Sequence, residues 1–315
     1  LIIDSEGQVG SELVEALRSH YRPSRVIAAD LKSPESVEGH EGPYEQLDVL
    51  DKDHIERIIQ KNQVTEVYNL AALLSASAEA KPMMGWSLNM NGLLNTLQLA
   101  KDTGIKRVFW PSSIAVFGPT TPKTATPQHT VMDPNTVYGI SKLAGERWCQ
   151  YFHNQYGIDT RSIRYPGLIS YKTEPGGGTT DYAVDIFHQA LSTSTYTSFL
   201  KPDTYLPMLY MPDAIRGTVE LMHADASRLS LHSSYNLGGL SLAPETLADT
   251  IQQQVPDFSI QYEPDFRQAI ADTWPSSIDD SIARADWGWK PAYSLNGMVM
   301  DMLKQLRAQK DSSKA

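Results

Sequence analysis

The stretch Leu1-Ile2-Ile3-Asp4-Ser5-Glu6-Gly7-Gln8-Val9-Gly10, with Asp30 twenty residues beyond Gly10, decides the fold. Three apolar residues read as a buried strand, and Val9 to His20 carries a helical pattern. Between them, Gly7 and Gly10 keep the spacing of a Gly-x-x-Gly-x-x-Gly turn whose first glycine would fall at position 4. Such glycines let the backbone curl tightly and approach a diphosphate, which the helix N-terminus attracts. Arg25 to Asp30 reads as the second strand. A carboxylate at its end can bind both hydroxyls of an adenosine ribose and repels a 2′-phosphate. The expected cofactor is therefore NAD rather than NADP, held by Gly7, Gln8, Val9, Gly10 and Asp30. Position 4 is Asp, which puts a like charge and a side chain beside the pyrophosphate, and weakened cofactor binding follows.

Outward from this stretch, short apolar runs alternate with helical patterns. Further strands are expected at Tyr44 to Asp48, Val67 to Ala71, Arg107 to Pro111 and Asp159 to Arg164, with helices at Asp51 to Gln60, Trp86 to Thr103 and Val137 to Gln155. Strand and helix in alternation imply βαβ units and a parallel sheet. The predicted class is α/β, a Rossmann-type doubly wound parallel sheet with a smaller, less regular C-terminal part. Asp48-Val49 would close the third strand beside an adenine, and Leu70-Ala71-Ala72 would offer small side chains to the cofactor. The rhythm stops near Tyr165. Residues 1–165 are expected to form the NAD-binding domain with the catalytic groups. Residues 166–309 form mainly a substrate-binding part, with room for segments to return to the sheet, and 310–315 a disordered tail. Helices are expected in that part at Asp181 to Leu191, Met211 to His223, Pro244 to Gln254, Ile278 to Asp286 and Leu295 to Arg307.

The chemistry is written in Tyr138-Gly139-Ile140-Ser141-Lys142, preceded by Ser112-Ser113. Tyr138 and Lys142 are four apart and share a helix face. A phenol is a poor base, with an ordinary pKa of ~10. A neighbouring ammonium favours the phenolate. A serine hydroxyl beside it can hold the substrate oxygen, and the three groups suit proton removal from an alcohol during hydride transfer.

Composition excludes other classes. The 27 Lys and Arg against 37 Asp and Glu leave a net charge of −10, which argues against nucleic acid or an anionic membrane as partner. No apolar run is long enough for a bilayer. The single cysteine, Cys149, precludes an intramolecular disulfide and reads as packing. The histidines show no metal-type pairing, so no metal is expected. The chain begins without methionine, already inside a strand pattern, which points to an upstream segment. A cytoplasmic location is expected, with an organellar targeting segment left open.

With these residues in place, the chain resembles the extended short-chain dehydrogenase/reductase superfamily from residue 1 to about 307. The matching motifs are Gly7 to Gly10, Asp30, Asn69-Leu70-Ala71-Ala72, Asn91, Ser112 to Gly118, Tyr138 to Lys142 and Arg164-Tyr165-Pro166-Gly167. Within it, the chain is most similar to the short-chain type of L-threonine 3-dehydrogenase. That likeness rests on Leu73-Leu74-Ser75-Ala76, Gly118 to Pro122, Pro175 to Ala183 and Asp272-Thr273-Trp274-Pro275. The resemblance implies that Tyr138 is the base, Lys142 its pKa partner and a ligand of the nicotinamide ribose, and Ser113 the catalytic serine. It brings Asn91 and Tyr165 to the cofactor, and Ser75, Thr179, Thr180 and Trp274 to the amino acid. Ser75, Thr179 and Thr180 read equally well as helix caps, and Trp274 as core. The implied reaction is NAD-dependent oxidation of L-threonine to 2-amino-3-oxobutyrate, a step of threonine catabolism, in a homodimer packed through Leu88 to Leu99 and Tyr138 to Tyr151. The rival readings are a nucleotide-sugar epimerase or dehydratase of the same superfamily, and a non-catalytic NAD-binding protein.

Overall fold

The computed structural model describes residues 1–37, 41–173 and 178–312. In chain order the first part holds β1 (Ile2–Ile3), α1 (Gln8–His20), β2 (Ala28–Asp30), β3 (Tyr44–Gln46), α2 (Lys52–Asn62), β4 (Glu66–Asn69), α3 (Ser75–Ala80), α4 (Pro82–Thr103) and β5 (Arg107–Phe109). It continues with β6 (Ser112–Ser113), α5 (Val137–Tyr156), β7 (Asp159–Arg161) and β8 (Ile163–Tyr165). Six strands form a parallel sheet in the order β3-β2-β1-β4-β5-β7. The order reverses between β1 and β4, which opens a crevice at their carboxyl ends, the ligand site of doubly wound sheets.

Strand alternation sorts the core into two layers. Ile2, Ala28, Tyr68 and Phe109 face the cluster containing Leu13, Val14 and Leu17 of α1. Ile3, Ala29, Val67 and Val108 face the opposite cluster, with Ile55, Ile58, Leu93, Leu97 and Phe152 from α2, α4 and α5. The side-chain period of two makes this division, and burial on both faces fits the apolar run of the central strand β1, Ile2–Ile3.

The remaining elements are β9 (Gly167–Ile169), α6 (Tyr182–Ser192), β10 (Thr195–Ser198), β11 (Leu206–Tyr210), α7 (Met211–His223), β12 (Tyr235–Asn236), β13 (Leu240–Leu242) and α8 (Pro244–Gln252), then β14 (Ser259–Tyr262), α9 (Phe266–Ala271), α10 (Ser281–Trp287) and α11 (Leu295–Ser312). They form the small sheets β13-β11-β9 and β10-β14 around a third core with α6, α8 and α11. Other segments return to the first part. Strand β12 joins β8 and β6 in a parallel ladder, and α7 packs its Met211, Ala214, Leu221 and Met222 into the α1 side of the sheet.

The structure revises several boundaries. Pro23–Arg25 is a 3-10 turn, so the second strand starts at Ala28. The run Asp159 to Arg164 is two strands, because the chain leaves β5 after Arg161 and takes new partners in β6 and β12. The predicted tail is also shorter: α11 runs to Ser312, with Lys310 Nζ donating to the Leu191 carbonyl, while 313–315 lie outside the described residues. Met298 and Met302 are buried one helical turn apart, and Met300 between them is exposed. Among the described residues, no helix is long and apolar enough to cross a membrane.

Candidate active site

The turn after β1 builds the cofactor end of the crevice. Gly10 is buried, and a Cβ there would collide with the Asp4 carbonyl oxygen, so glycine lets α1 close onto the turn. Gly7 is the N-cap of α1, and no side chain caps that helix. Gln8 and Val9 open it. The Ser5 hydroxyl is buried in the same turn without a partner. Asp30, 8% exposed at the end of β2, accepts from the Glu6 N–H at 2.9 Å and the Lys32 N–H at 3.3 Å. These bonds fix the acid beside the turn. The half-buried Ala71 and Ala72 follow β4, and the Ala71 N–H donates to Asn69 Oδ1. The uncapped turn, its orphan hydroxyl and the placed acid fit NAD. Asp4 opposes it: the residue stands at φ 68°, the left-handed region that glycine favours, with a carboxylate in the turn.

The catalytic end is built by β6 and α5. Thr136 caps α5 by accepting the Gly139 N–H at 3.0 Å, and Glu79 of α3 accepts the Val137 N–H at 2.6 Å. Tyr138 lies in the first turn, half-buried, with the Ser113 hydroxyl facing its phenol. The Ser113 hydroxyl also accepts the Ala115 N–H at 3.2 Å. Lys142 is fully buried. It donates to the Pro111 carbonyl at 2.6 Å and lies 4.4 Å from the Trp110 ring centroid and 5.5 Å from that of Tyr138. Ser113, Tyr138 and Lys142 are thus brought together, Tyr138 and Lys142 on one face of α5.

The electrostatics differ from the sequence reading. Burial pushes the Tyr138 phenol up to about 12, with the Ser113 bond pulling the other way. Burial pushes the Lys142 ammonium down to about 7. Lys142 donates to the Pro111 carbonyl, 5.5 Å from the Tyr138 ring centroid. Its charge senses Asp4, whose carboxyl is raised to about 6 by burial and then by Asp30.

Other predicted residues are placed elsewhere. Ser112 donates to Glu146 at 2.7 Å, and Glu146 is gripped bidentately by Arg164 at 2.8 Å, so Ser112 anchors the strand. Asn91 is exposed on α4, with its amide on Ser87. The buried amide on this helix is Asn89, which accepts the Leu73 N–H at 2.7 Å and donates to the Leu73 carbonyl and to Ser141 of α5. The helical register was the available signal: 89, 92, 93, 96 and 100 form the buried stripe, and 91 lies off it. The Tyr165 side chain is buried in the core, with its hydroxyl bonded to Thr218 of α7, so it is withdrawn from the nicotinamide pocket. Asp48 is exposed and accepts the Leu50 N–H, while Val49 is buried against Gly92 of α4.

On the substrate side, Ser75 begins α3 one residue after its N-cap, Leu74. Asp181 is the N-cap position of α6, so neither threonine caps that helix. Thr179 is buried, and the Thr180 methyl lies 2.7 Å from where a Cβ on Gly167 would stand. Pro175, Gly176 and Gly177 lie outside the described residues. Trp274 is half-buried between the third core and Ile114, Val116 and Phe117, the segment directly after Ser113. The Lys123 ammonium bridges the Gly118 and Thr273 carbonyls, which ties the Gly118 loop to the Trp274 segment. Cys149 is buried. Among the described residues, no group of three or more His, Cys, Asp and Glu could hold a metal.

The whole chain has close relatives. Residues 1–238 match the NAD dependent epimerase/dehydratase family. An uncharacterized epimerase/dehydratase of Staphylococcus saprophyticus is 45% identical over 311 residues, 98% of this chain and 97% of that protein. The holo form of a GalE-like L-threonine dehydrogenase from Cupriavidus necator superposes with a TM-score of 0.95 at 56% identity, covering 97% of this chain and 98% of that one. A monomeric L-threonine 3-dehydrogenase from a metagenome gives 0.93 at 47%, covering 98% of each chain. The match over residues 1–238 and the 45% identity along nearly the whole length show that the chain belongs to the NAD dependent epimerase/dehydratase family.

Proposed function

We propose that this protein is an NAD-dependent L-threonine 3-dehydrogenase, oxidising the secondary alcohol of L-threonine to 2-amino-3-oxobutyrate. The observation that carries the reading is near-full-length likeness to L-threonine dehydrogenases at up to 57% identity, together with the cluster of Ser113, Tyr138 and Lys142. Gly7, Gly10 and Asp30 would hold the cofactor. Bound oxidised NAD supplies the hydride acceptor and a positive charge that favours the phenolate. Ser113 and Tyr138 grip the hydroxyl oxygen together, and Tyr138 accepts its proton. Ser113 opposes the burial that keeps the phenol protonated in the free protein. Thr179, Thr180 and Ser75 supply hydroxyls for the carboxylate, and Trp274 forms a wall of the pocket. Buried polar groups left unpaired would penalise substrates lacking the amino-acid end.

The test is NADH formation with L-threonine against UDP-sugars, compared as kcat/KM. Preference for L-threonine supports the reading, and preference for a nucleotide sugar replaces it with the epimerase reading. We propose further that two copies pair through α4 and α5, where Ile140, Trp148, Tyr151 and Tyr156 are exposed. A monomer in sedimentation equilibrium, as the metagenomic relative is described, would refute the pairing.

A further inference from the structure

Asp4 does more than crowd the glycine turn. It stands in a left-handed conformation at the end of β1, and its carboxylate folds over Gly7. The Asp4 Oδ2 lies 2.5 Å, and Cγ 3.0 Å, from where a Cβ on residue 7 would sit. Gly7 is the N-cap of α1, which has neither a side-chain cap nor an acid in its first turn. Helix N–H groups at this point attract an anion. The chain thus sets a carboxylate of its own, from outside the helix, beside the N-cap of α1.

We propose that the Asp4 carboxylate occupies the pyrophosphate cradle of the free protein as a built-in competitor, and that NAD binding takes up one solvent proton at this carboxylate. The neutral acid then donates its O–H to a diphosphate oxygen, and no bond of the cofactor breaks. The groups facing Asp4 are Asp30 of β2, Lys32 just beyond it and Lys142 of α5. Burial and Asp30 raise Asp4 to about 6, against the pull of the two lysines. A diphosphate adds negative charge at short range and raises it further. The complex thus binds more protons than the free protein above pH 6, and affinity falls as pH rises, by at most about tenfold per pH unit for one proton. Lys142, at about 7, titrates with the same sign, so the Asp4 share has to be isolated by substitution.

This inference rests on NAD as cofactor and not on threonine as substrate. Failure of threonine turnover would overturn the reading above and leave this one standing. The experiment is calorimetric titration of the full chain with NAD from about pH 5 to about pH 8 in two buffers of different ionisation heat, for the parent, Asp4→Asn and Asp4→Gly. Asparagine keeps the shape and tolerates the left-handed conformation, and glycine removes both charge and bulk. The expected result near pH 8 is about tenfold tighter binding of both variants than of the parent, and a proton uptake per NAD that is lower in each variant by the Asp4 share of up to one proton, the Lys142 share remaining. Identical pH dependence of parent and Asp4→Asn would overturn the proposal. So would Asp4→Gly binding NAD no more tightly than the parent, or not at all.

Discussion

Replacing Asn89 with alanine should loosen the N-terminal turns of α5, which carry Tyr138 and Lys142. Its side chain makes three bonds: from the Leu73 N–H at 2.7 Å, to the Leu73 carbonyl at 3.2 Å and to Ser141 Oγ at 3.0 Å. Leu73 leads into α3, whose Glu79 accepts the Val137 N–H at the start of α5. Ser141 lies on α5 between Tyr138 and Lys142. One buried amide thus braces α5 directly and through α3. At about 1 kcal/mol for each net hydrogen bond, three losses come to about 3 kcal/mol. Ser141 keeps its bond to the Tyr138 carbonyl, and water can reach the half-buried Leu73 backbone. These relieve part of the cost, and the range is about 2–4 kcal/mol. With an unfolding entropy of about 2.1 cal/mol/K per residue, a chain of 315 residues should lose about 3–6 °C in Tm. Calorimetric melting measures this, and turnover at saturating NAD reports the positioning of Tyr138, which should suffer with it. Asn89→Asp keeps the acceptor for Leu73 and should recover part of the melting temperature. A Tm change under about 1 °C with unaltered turnover would refute the bracing role.

The remaining predictions concern the crevice. Tyr138→Phe removes the phenol hydroxyl that faces Ser113 and should lower turnover by ~10²–10⁴ while NAD binding persists, and single-turnover kinetics within a few-fold of the parent would contradict it. Asp30→Ala frees the Glu6 and Lys32 N–H groups and removes the charge facing a 2′-phosphate, so it should narrow the preference for NAD over NADP, read as the ratio of kcat/KM values. Asp4 binds its proton more tightly folded, at about 6, than at its ordinary 3.8. The sign follows: its contribution to stability is present below pH 3.8 and is lost as pH rises through 6. Asp4→Asn should therefore gain stability relative to the parent across that window and keep the gain at neutral pH, and parallel urea midpoints for the two proteins would contradict this.

Much of the architecture is readable in short-range pattern. Ile2 and Ile3, or Val108 and Phe109, had to face opposite sides because strand side chains alternate, and the two core layers divide on that line. Tyr138 and Lys142 share a helix face for the same kind of reason. The second half resisted, since its strands, such as Tyr235–Asn236 and Leu206–Tyr210, pair in small separate sheets or with β8 rather than in a βαβ rhythm. Asn91 was named from motif likeness alone, and Asn89, on the buried stripe of α4, was passed over.

By itself, then, the sequence determined the parallel α/β class, the glycine turn with an acid out of place at position 4, and the identity of the Ser, Tyr and Lys cluster. Only the tertiary structure decided how those groups are charged and where they are aimed. Lys142 meets the Pro111 carbonyl and senses Asp4, Ser112 is taken by the Glu146 and Arg164 pair, and the Tyr165 hydroxyl turns to Thr218. Local pattern follows from bonded geometry, which each residue carries with it. Desolvation and charge coupling depend on which distant segments are packed alongside, and that is settled only when β1, β6 and α5 meet at the crevice.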